Sequence, residues 1–267
     1  MSEADQAFLQ ENQPEGVPPL ALTGERTLPD VPEENYWYRR HVAVYEWIAG
    51  RCAGLRVADL ACGEGYGSDL LASEAAEVVG VDANPEAYDH ARARYRRPNL
   101  SFERGLVEDF DHEVDAVVFL QTIEHVHEPA RLLERIARIA PLAYVSTPNR
   151  LTLAPPGAEK SDNPWHLREY DAREYRELLE SHFGSVELLG LFHARKLRAH
   201  ELAIRGGWDR VHAALRITKP FYDRFIPAIS PRDFRLSTRD LDAALDFLAV
   251  CEVSKGADES NVVGEDG

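Results

Sequence analysis

The sequence predicts an α/β protein: a doubly wound, mostly parallel, seven-stranded sheet with a helical insertion before the last strand. Three observations carry this. Short apolar runs alternate with segments of helical spacing, the pattern of a parallel sheet with helices on both faces. The first run, at residues 57–60, passes through a glycine-rich turn, Gly63-x-Gly65-x-Gly67, into a helical stretch at 68–76. The second run, 77–81, ends in Asp82, a carboxylate at a strand end about 20 residues after the glycine turn.

The elements follow in order. Residues 1–30 carry Pro14, Pro18, Pro19 and Pro29 with few large apolar residues and read as a mobile or extended arm. In 34–50, Tyr38, Val42, Tyr45 and Ile48 recur at helical spacing. After Asp82, Pro85 opens a helix through 96, since proline is favoured in a first helical turn. Strands follow at 100–103, 114–120 and 142–146, with a helix at 129–140 between the last two. The proline-rich loop 147–168 is long enough to be functional or mobile. A helix at 170–182, capped by Asp171, leads to a sixth strand at 185–192. Residues 195–226 read as helix broken at Gly206, Gly207 and Pro220. Ser237 and Asp240 resemble a capping box and predict a helix start within 236–244. The apolar run 247–253 is the seventh strand. The core domain is therefore 31–254, residues 193–244 are an insertion expected to cover the cofactor mouth, and the polar 255–267 are a disordered tail.

The glycine turn lets backbone N–H groups approach a ligand closely. Asp82 is placed to bind ribose hydroxyls. A dinucleotide binder would space its glycines Gly-x-Gly-x-x-Gly, and a triphosphate binder would add Gly-Lys-Ser/Thr. Neither is present, so a nucleoside without phosphates fits better. A lone glycine turn is as often an ordinary turn; Asp59, the distance to Asp82 and the continuing alternation favour the ligand.

With these residues in view, residues 34–192 resemble the class I S-adenosylmethionine (SAM)-dependent methyltransferases. VADLACGEGYGSDLLA is similar to their first motif, VVGVDANPEAYDHA to the second, and FERGLVEDF and VDAVVFLQTIEHVHEP to the third and fourth. The resemblance implies SAM as cofactor, surrounded by Asp59, Ala61, Gly63, Gly65, Asp82, Ala83, Val107, Glu108 and Gln121. It also implies a last strand that returns antiparallel at the sheet edge, and it lets Arg40 or His41 reach the SAM carboxylate. Two positions depart from the family pattern. Ala61 stands where glycine is usual, though alanine is small enough for SAM. Leu106 stands where aspartate is frequent.

On the acceptor side the chain resembles O-methyltransferases of ubiquinone biosynthesis and of small-RNA 3′ ends, which carry Glu-x-x-Glu-His and a downstream histidine or asparagine. Here the pattern is Gln121-x-x-Glu124-His125, with Asn149 and His166 downstream. The resemblance implies a divalent cation, Mg or Mn, held by Gln121, Glu124, His125 and His166, which would lower the pKa of an acceptor hydroxyl. Glutamine supplies an oxygen but one charge fewer. Two other readings stand beside this one. His125 or His166 acts as a metal-free base, or Glu124 and His125 simply hold the loop. The catalytic candidates are thus His125, His166 and Glu124; His127 is expected to be solvated. The stretches TGERTLPDVPEENYWYRRH and STPN…NPWHLREY resemble bacterial methyltransferases of polysaccharide formation, which implies a sugar or glycan hydroxyl as acceptor. The alternatives are a quinone or phenolic acceptor, and a non-catalytic SAM-binding protein.

Composition restricts partners. The chain has 267 residues and a formal net charge of −16. Such a charge repels nucleic acid and anionic membranes unless a local basic patch compensates. The arginines between 195 and 239 form either a solvated helical face or a rim that grips an anionic or sugar substrate. No apolar run is long enough to span a bilayer, so no membrane insertion is expected. The N-terminus lacks signal-peptide regions. Cys52, Cys62 and Cys251 give neither disulfide framework nor metal spacing. A cytoplasmic location follows as the default.

Overall fold

A computed structural model describes residues 13–22, 26–215 and 217–254; the expected disordered tail lies outside them. The chain forms one eight-stranded sheet in the order β3-β2-β1-β4-β5-β8-β6-β7. The strands β1 (Arg56–Leu60), β2 (Glu77–Asp82), β3 (Leu100–Arg104), β4 (Ala116–Leu120) and β5 (Leu142–Pro148) pair in parallel. The central strands β1, β4 and β5 are largely apolar on both faces because helices cover both. Helices α1 (Asn35–Ala49) and α2 (Tyr66–Leu71) pack on one face through Tyr45, Ile48 and Leu71. Helices α4 (Pro129–Ile139) and α6 (Ala172–Glu180) pack on the other through Leu132, Leu133, Ile136, Tyr175 and Leu179. Helix α3 (Pro85–Arg94) begins at Pro85 as expected, and Asn84 caps it by accepting from the Glu86 and Ala87 amides. Asp171 caps α6 in a full capping box with Glu174. No helix among the described residues is long and apolar enough to cross a membrane.

Four expectations need correction. The sheet has eight strands, not seven. The extra strand is β7 (Phe234–Ser237), within the stretch that suggested a helix start. Strand β6 (Ser185–His193) has an edge beyond β8, and β7 pairs antiparallel along it from Gly190 to His193. The capping-box residues serve other turns: Asp240 is left-handed, φ 56°, and only a short 3-10 turn follows. Second, β8 (Asp246–Glu252) is antiparallel but lies between β5 and β6, not at the sheet edge. It is buried there and brings Asp246 to the centre of the ligand-binding end.

Third, the arm is anchored at a few points, although residues 14–16, 18 and 19 are exposed. Leu20, Leu28 and Val31 form a small buried cluster. His90 Nδ1 lies 2.7 Å from the Pro18 carbonyl, and Arg94 pairs with Asp30 at 2.7 Å. Fourth, the insertion does not cover the cofactor mouth. Helices α7 (Arg195–Arg205), α8 (Trp208–Leu215) and α9 (Thr218–Phe225) gather at the β6–β7 edge, against the start of α1. There Asn35 donates to the carbonyls of Ile226 and Ile229. Asp82 lies in β2, near the opposite edge.

The glycine turn is built by packing as much as by ligand approach. Gly65 adopts φ 95°, and a Cβ there would press on Ala91 and Phe102. A Cβ on Gly67 would enter the Tyr45 ring. Gly67→Ala is therefore expected to destabilise the fold by about 1–3 kcal/mol through overpacking, measured by urea denaturation. Wild-type stability would show that α1 moves aside freely.

Candidate active site

Ligands of doubly wound sheets bind beyond the carboxyl ends of the strands, and two connected grooves lie there. The first encloses about 700 Å³ beside Gly105, Val107 and Glu108. The second encloses about 380 Å³ beside Cys62, Gly63, Tyr66 and Gln121. Ala61, Asp82, Ala83, Thr122 and His125 line both. Asp82 thus stands at the joint of an elongated site, with the Val107–Asp109 turn at one end and Gln121 at the other.

Asp82 is held ready. Its Oδ2 accepts the Gly63 amide and its Oδ1 the Asn84 amide, both at 2.8 Å. A carboxylate has about four lone-pair directions, so each oxygen keeps capacity for a ribose hydroxyl. Charge-assisted bonds of this kind contribute roughly 1.5–3 kcal/mol each. Asp82→Ala is expected to weaken SAM binding at least about tenfold while the protein stays folded. A calorimetric titration giving the wild-type affinity would remove Asp82 from the site.

Other expected cofactor residues fall into two groups. Ala61, Gly63, Ala83, Val107, Glu108 and Gln121 line the grooves. Ala61 and Gln121 do so in the left-handed region, φ 59° and 51°, a strained choice for residues with a Cβ. Asp59 and Gly65 do not line them. Asp59 is fully buried and accepts from Ser68 Oγ at 2.7 Å and Tyr45 Oη at 3.1 Å. It is a positioning residue that ties α1 and α2 to β1.

Burial pushes the Asp59 carboxyl from 3.8 up to about 7, against the pull of the Ser68 and Tyr45 hydroxyls. A folded pKa above the unfolded one means that the folded state binds the proton more tightly. The resulting stabilisation is complete below pH 3.8 and is lost as pH rises through 7. Asp59→Asn should flatten the decline in unfolding free energy across that window, by up to about 1.4 kcal/mol per pH unit. Identical slopes for variant and wild type in denaturant titrations at several pH values would disprove this.

A third groove, about 390 Å³, opens next to the second and shares Arg26, Thr27, His41, Gln121, His125 and Asp246 with it. Most of the side chains that line it are polar or charged in type. Trp37, Pro148 and Leu153 supply the apolar surface. Arg40 is not available to a SAM carboxylate, because it is buried against Asp246: Nε donates to Oδ2 at 2.6 Å and a terminal nitrogen to Oδ1. His41 does line both grooves. Burial lowers its pKa to about 4, so it is neutral near pH 7.

Glu124, His125 and His166 meet in this third groove. One ligand atom from each lies within 4.8 Å of the others. The loop after β5 is drawn in by backbone bonds: the Leu167 amide donates to the Glu124 carbonyl at 2.8 Å. Both rings are oriented through Nδ1. His125 Nδ1 lies 2.9 Å from the Trp165 carbonyl, and His166 Nδ1 lies 2.6 Å from Glu169 Oε1. In the tautomer with the proton on Nδ1, each contact is a hydrogen bond donated by the ring, and Nε2 is then the acceptor. Such partners orient histidine ligands in metal sites. Burial alone would raise the Glu169 carboxyl, but donors from Ser161 and His166 hold it below the ordinary range. Burial pushes Glu124 up to about 8, with Thr147 Oγ1 donating to it at 3.0 Å. A bound cation would oppose that shift. The donor set of two nitrogens and one carboxylate fits a divalent transition ion better than magnesium.

Gln121, the fourth expected ligand, lines this groove, but its amide nitrogen donates to Ser146 Oγ at 3.1 Å. Asn149 is structural: it is buried, caps α5 (Arg150–Leu153) and donates to the carbonyls of Leu241, Asp242 and Ala244. His127 is exposed, as expected. Sequence reasoning missed Glu169, Thr147 and Asp246. The His166-x-x-Glu169 spacing is a signal that could have found Glu169. Nothing local marks Asp246.

The methyltransferase domain family matches residues 58–141. Over 247 residues the chain is 40% identical to a probable S-adenosylmethionine-dependent methyltransferase of Mycolicibacterium smegmatis, covering 86% of this chain and 94% of that protein. A homologous protein of Mycobacterium tuberculosis is 39% identical over the same length, covering 86% of this chain and 89% of its own. A ubiquinone biosynthesis O-methyltransferase of Albidiferax ferrireducens is 32% identical, covering 60% of this chain and 70% of that one. Among solved structures, a SAM-dependent methyltransferase of Thermotoga maritima shares the fold with a TM-score of 0.53 at 16% identity, covering 83% and 95% of the two chains.

Proposed function

Because the chain belongs to the S-adenosylmethionine-dependent methyltransferases, we propose that it methylates a hydroxyl of a sugar, glycan or related small molecule, with Glu124, His125 and His166 holding a divalent ion beside that hydroxyl. The observation that supports this reading is the convergence of those three side chains in the groove that joins the cofactor site at Gln121 and His125. SAM supplies a methyl group already activated by its sulfonium. A divalent ion would polarise the acceptor oxygen and lower its pKa. A sugar hydroxyl is too weak an acid to ionise unaided near neutral pH, so some such assistance is required.

The chain's own residues do the rest. Asp82 orients the ribose, and the turn at Val107 and Glu108 receives the base. The meeting of the second and third grooves sets the direction from which an acceptor oxygen approaches, and such positioning supplies much of the catalysis. Trp37 and Leu153 limit water on the acceptor side. The hydrogen-bonding side chains in the third groove's lining, Arg26, Glu34, His41 and Asp246, suit a hydroxyl-rich acceptor. A quinone would call for a broader apolar wall.

A second reading keeps the residues and omits the ion. His166 Nε2 takes the acceptor proton, and Glu169 stabilises the imidazolium so formed, as a buried carboxylate does behind a catalytic histidine. The 2.6 Å contact between His166 and Glu169 favours it. Mass spectrometry of reactions with labelled SAM and a panel of sugars, oligosaccharides and phenols, with and without chelator, tests both. Methylation of a sugar hydroxyl that chelator stops and manganese restores is the expected result. Methylation confined to phenols would overturn the acceptor class, and chelator-resistant turnover would leave the histidine base.

A further inference from the structure

We propose that the cleft between α7 and the β6–β7 pair is a binding site for an oxyanion group of the phosphate, sulfate or carboxylate kind. The cleft encloses about 630 Å³. It shares no lining residue with the three grooves of the methyl-transfer site. Arg198, Arg205, Arg235 and Arg239 line it, against the carboxylates of Glu201 and Asp240. In a chain of net charge −16 this is a local reversal of sign, and a concave one concentrates anions.

The arginines are arranged, not scattered. Arg198, Glu201 and Arg205 fall on one face of α7, and Glu201 holds both guanidinium groups, at 3.0 Å and 2.6 Å. Glu201 also lies 3.4 Å from His193 Nδ1. Arg235 stands opposite Phe192 in the β6–β7 register. Its guanidinium lies over that ring, 5.4 Å from the centroid, which steadies the group without neutralising it. Among the described residues no carboxylate forms an ion pair with Arg235 or Arg239. A guanidinium presents a planar fork that matches an oxyanion in two-point contact.

The cleft is also next door to the acceptor groove. Thr152 and Leu245 line the cleft, while the residues that follow them, Leu153 and Asp246, line the acceptor groove. One wall separates the two. The anionic group therefore belongs either to an acceptor long enough to pass that wall or to a separate ligand.

Calorimetric titration of the full chain with inorganic pyrophosphate tests the site without reference to methyl transfer. Saturable, salt-sensitive binding is expected, weakened at least about tenfold in the Arg235→Gln/Arg239→Gln double variant, with SAM affinity unchanged as the check on folding. Since Arg235 also packs on Phe192, Arg239→Gln alone provides a second variant and should weaken pyrophosphate severalfold. Absence of saturable binding, or equal affinity in wild type and both variants, would overturn the proposal and leave a solvated basic face. Matched neutral and phosphorylated sugars, assayed with labelled SAM, then separate the sources. A preference for the phosphorylated member that the double variant loses puts the anion on the acceptor. Pyrophosphate binding with no such preference puts it on a separate ligand.

Discussion

Replacing His166 by alanine is expected to lower methyl transfer by about 10²–10⁴ while SAM binding stays intact. The ring meets Glu124 and His125 within 4.8 Å, outside the Asp82 groove, so acceptor activation and cofactor affinity should separate. Glu124→Ala and His125→Ala should show the same split. His125 also lines the second groove, beside Gly63 and Asp82, so its variant is the one expected to lose some SAM affinity as well. If the three hold an ion, each single replacement approaches the combined loss, because residues that act as a unit are strongly non-additive. Chelator then abolishes turnover in wild type and adds little in the variants. If His166 is instead a base backed by Glu169, Glu169→Gln should shift the pH profile of kcat/KM and chelator should have no effect. Full activity in all three alanine variants would make these residues structural and defeat both mechanisms.

The largest stability effect is expected at Arg40. Its side chain and that of Asp246 are 7% and 5% exposed, and each is the other's charge partner. Arg40→Ala would leave a buried carboxylate uncompensated, at a cost of about 3–5 kcal/mol. That is a large part of the roughly 5–15 kcal/mol that holds a typical domain together. The pair itself is not expected to be a net stabiliser against apolar residues of similar volume. Arg40→Met combined with Asp246→Leu should therefore recover most of the loss. On the proposed function the double variant should still methylate poorly, because Asp246 lines both the second and the third groove. Denaturant titration of Arg40→Met, of Asp246→Leu and of the double variant gives the coupling directly. Additive single effects would mean that the pair is not coupled.

The distinction between what was legible and what was not follows the range of the interactions. Strands β1 to β6, the start of α3 at Pro85 and the cap of α6 at Asp171 were legible, because periodicity and turn chemistry act over a few residues. The placement of Asp82 was legible for the same reason: a strand that ends in a carboxylate, after a glycine turn, is a local pattern. So was the membership of Glu124 and His125 in one turn after β4.

Long-range pairing decided the rest. The sequence of β8 says that it is a strand, but its place between β5 and β6 depends on pairing with strands far away in the chain. Pairing of the same kind drew residues 234–237 into β7 against their capping-box appearance. His166 reaches Glu124 only because the Leu167 amide finds the Glu124 carbonyl across more than forty residues of chain. Asp59 shows the limit most plainly. Its position in the motif suggested a ligand contact, yet the hydroxyls of Tyr45 and Ser68, brought to it by two different helices, take both carboxylate oxygens and turn it into a buried tie. By itself the sequence determined the class of fold, the cofactor and the residues available for chemistry. The tertiary structure decided which of those residues meet, because burial and hydrogen bonding between distant segments leave no period in the chain.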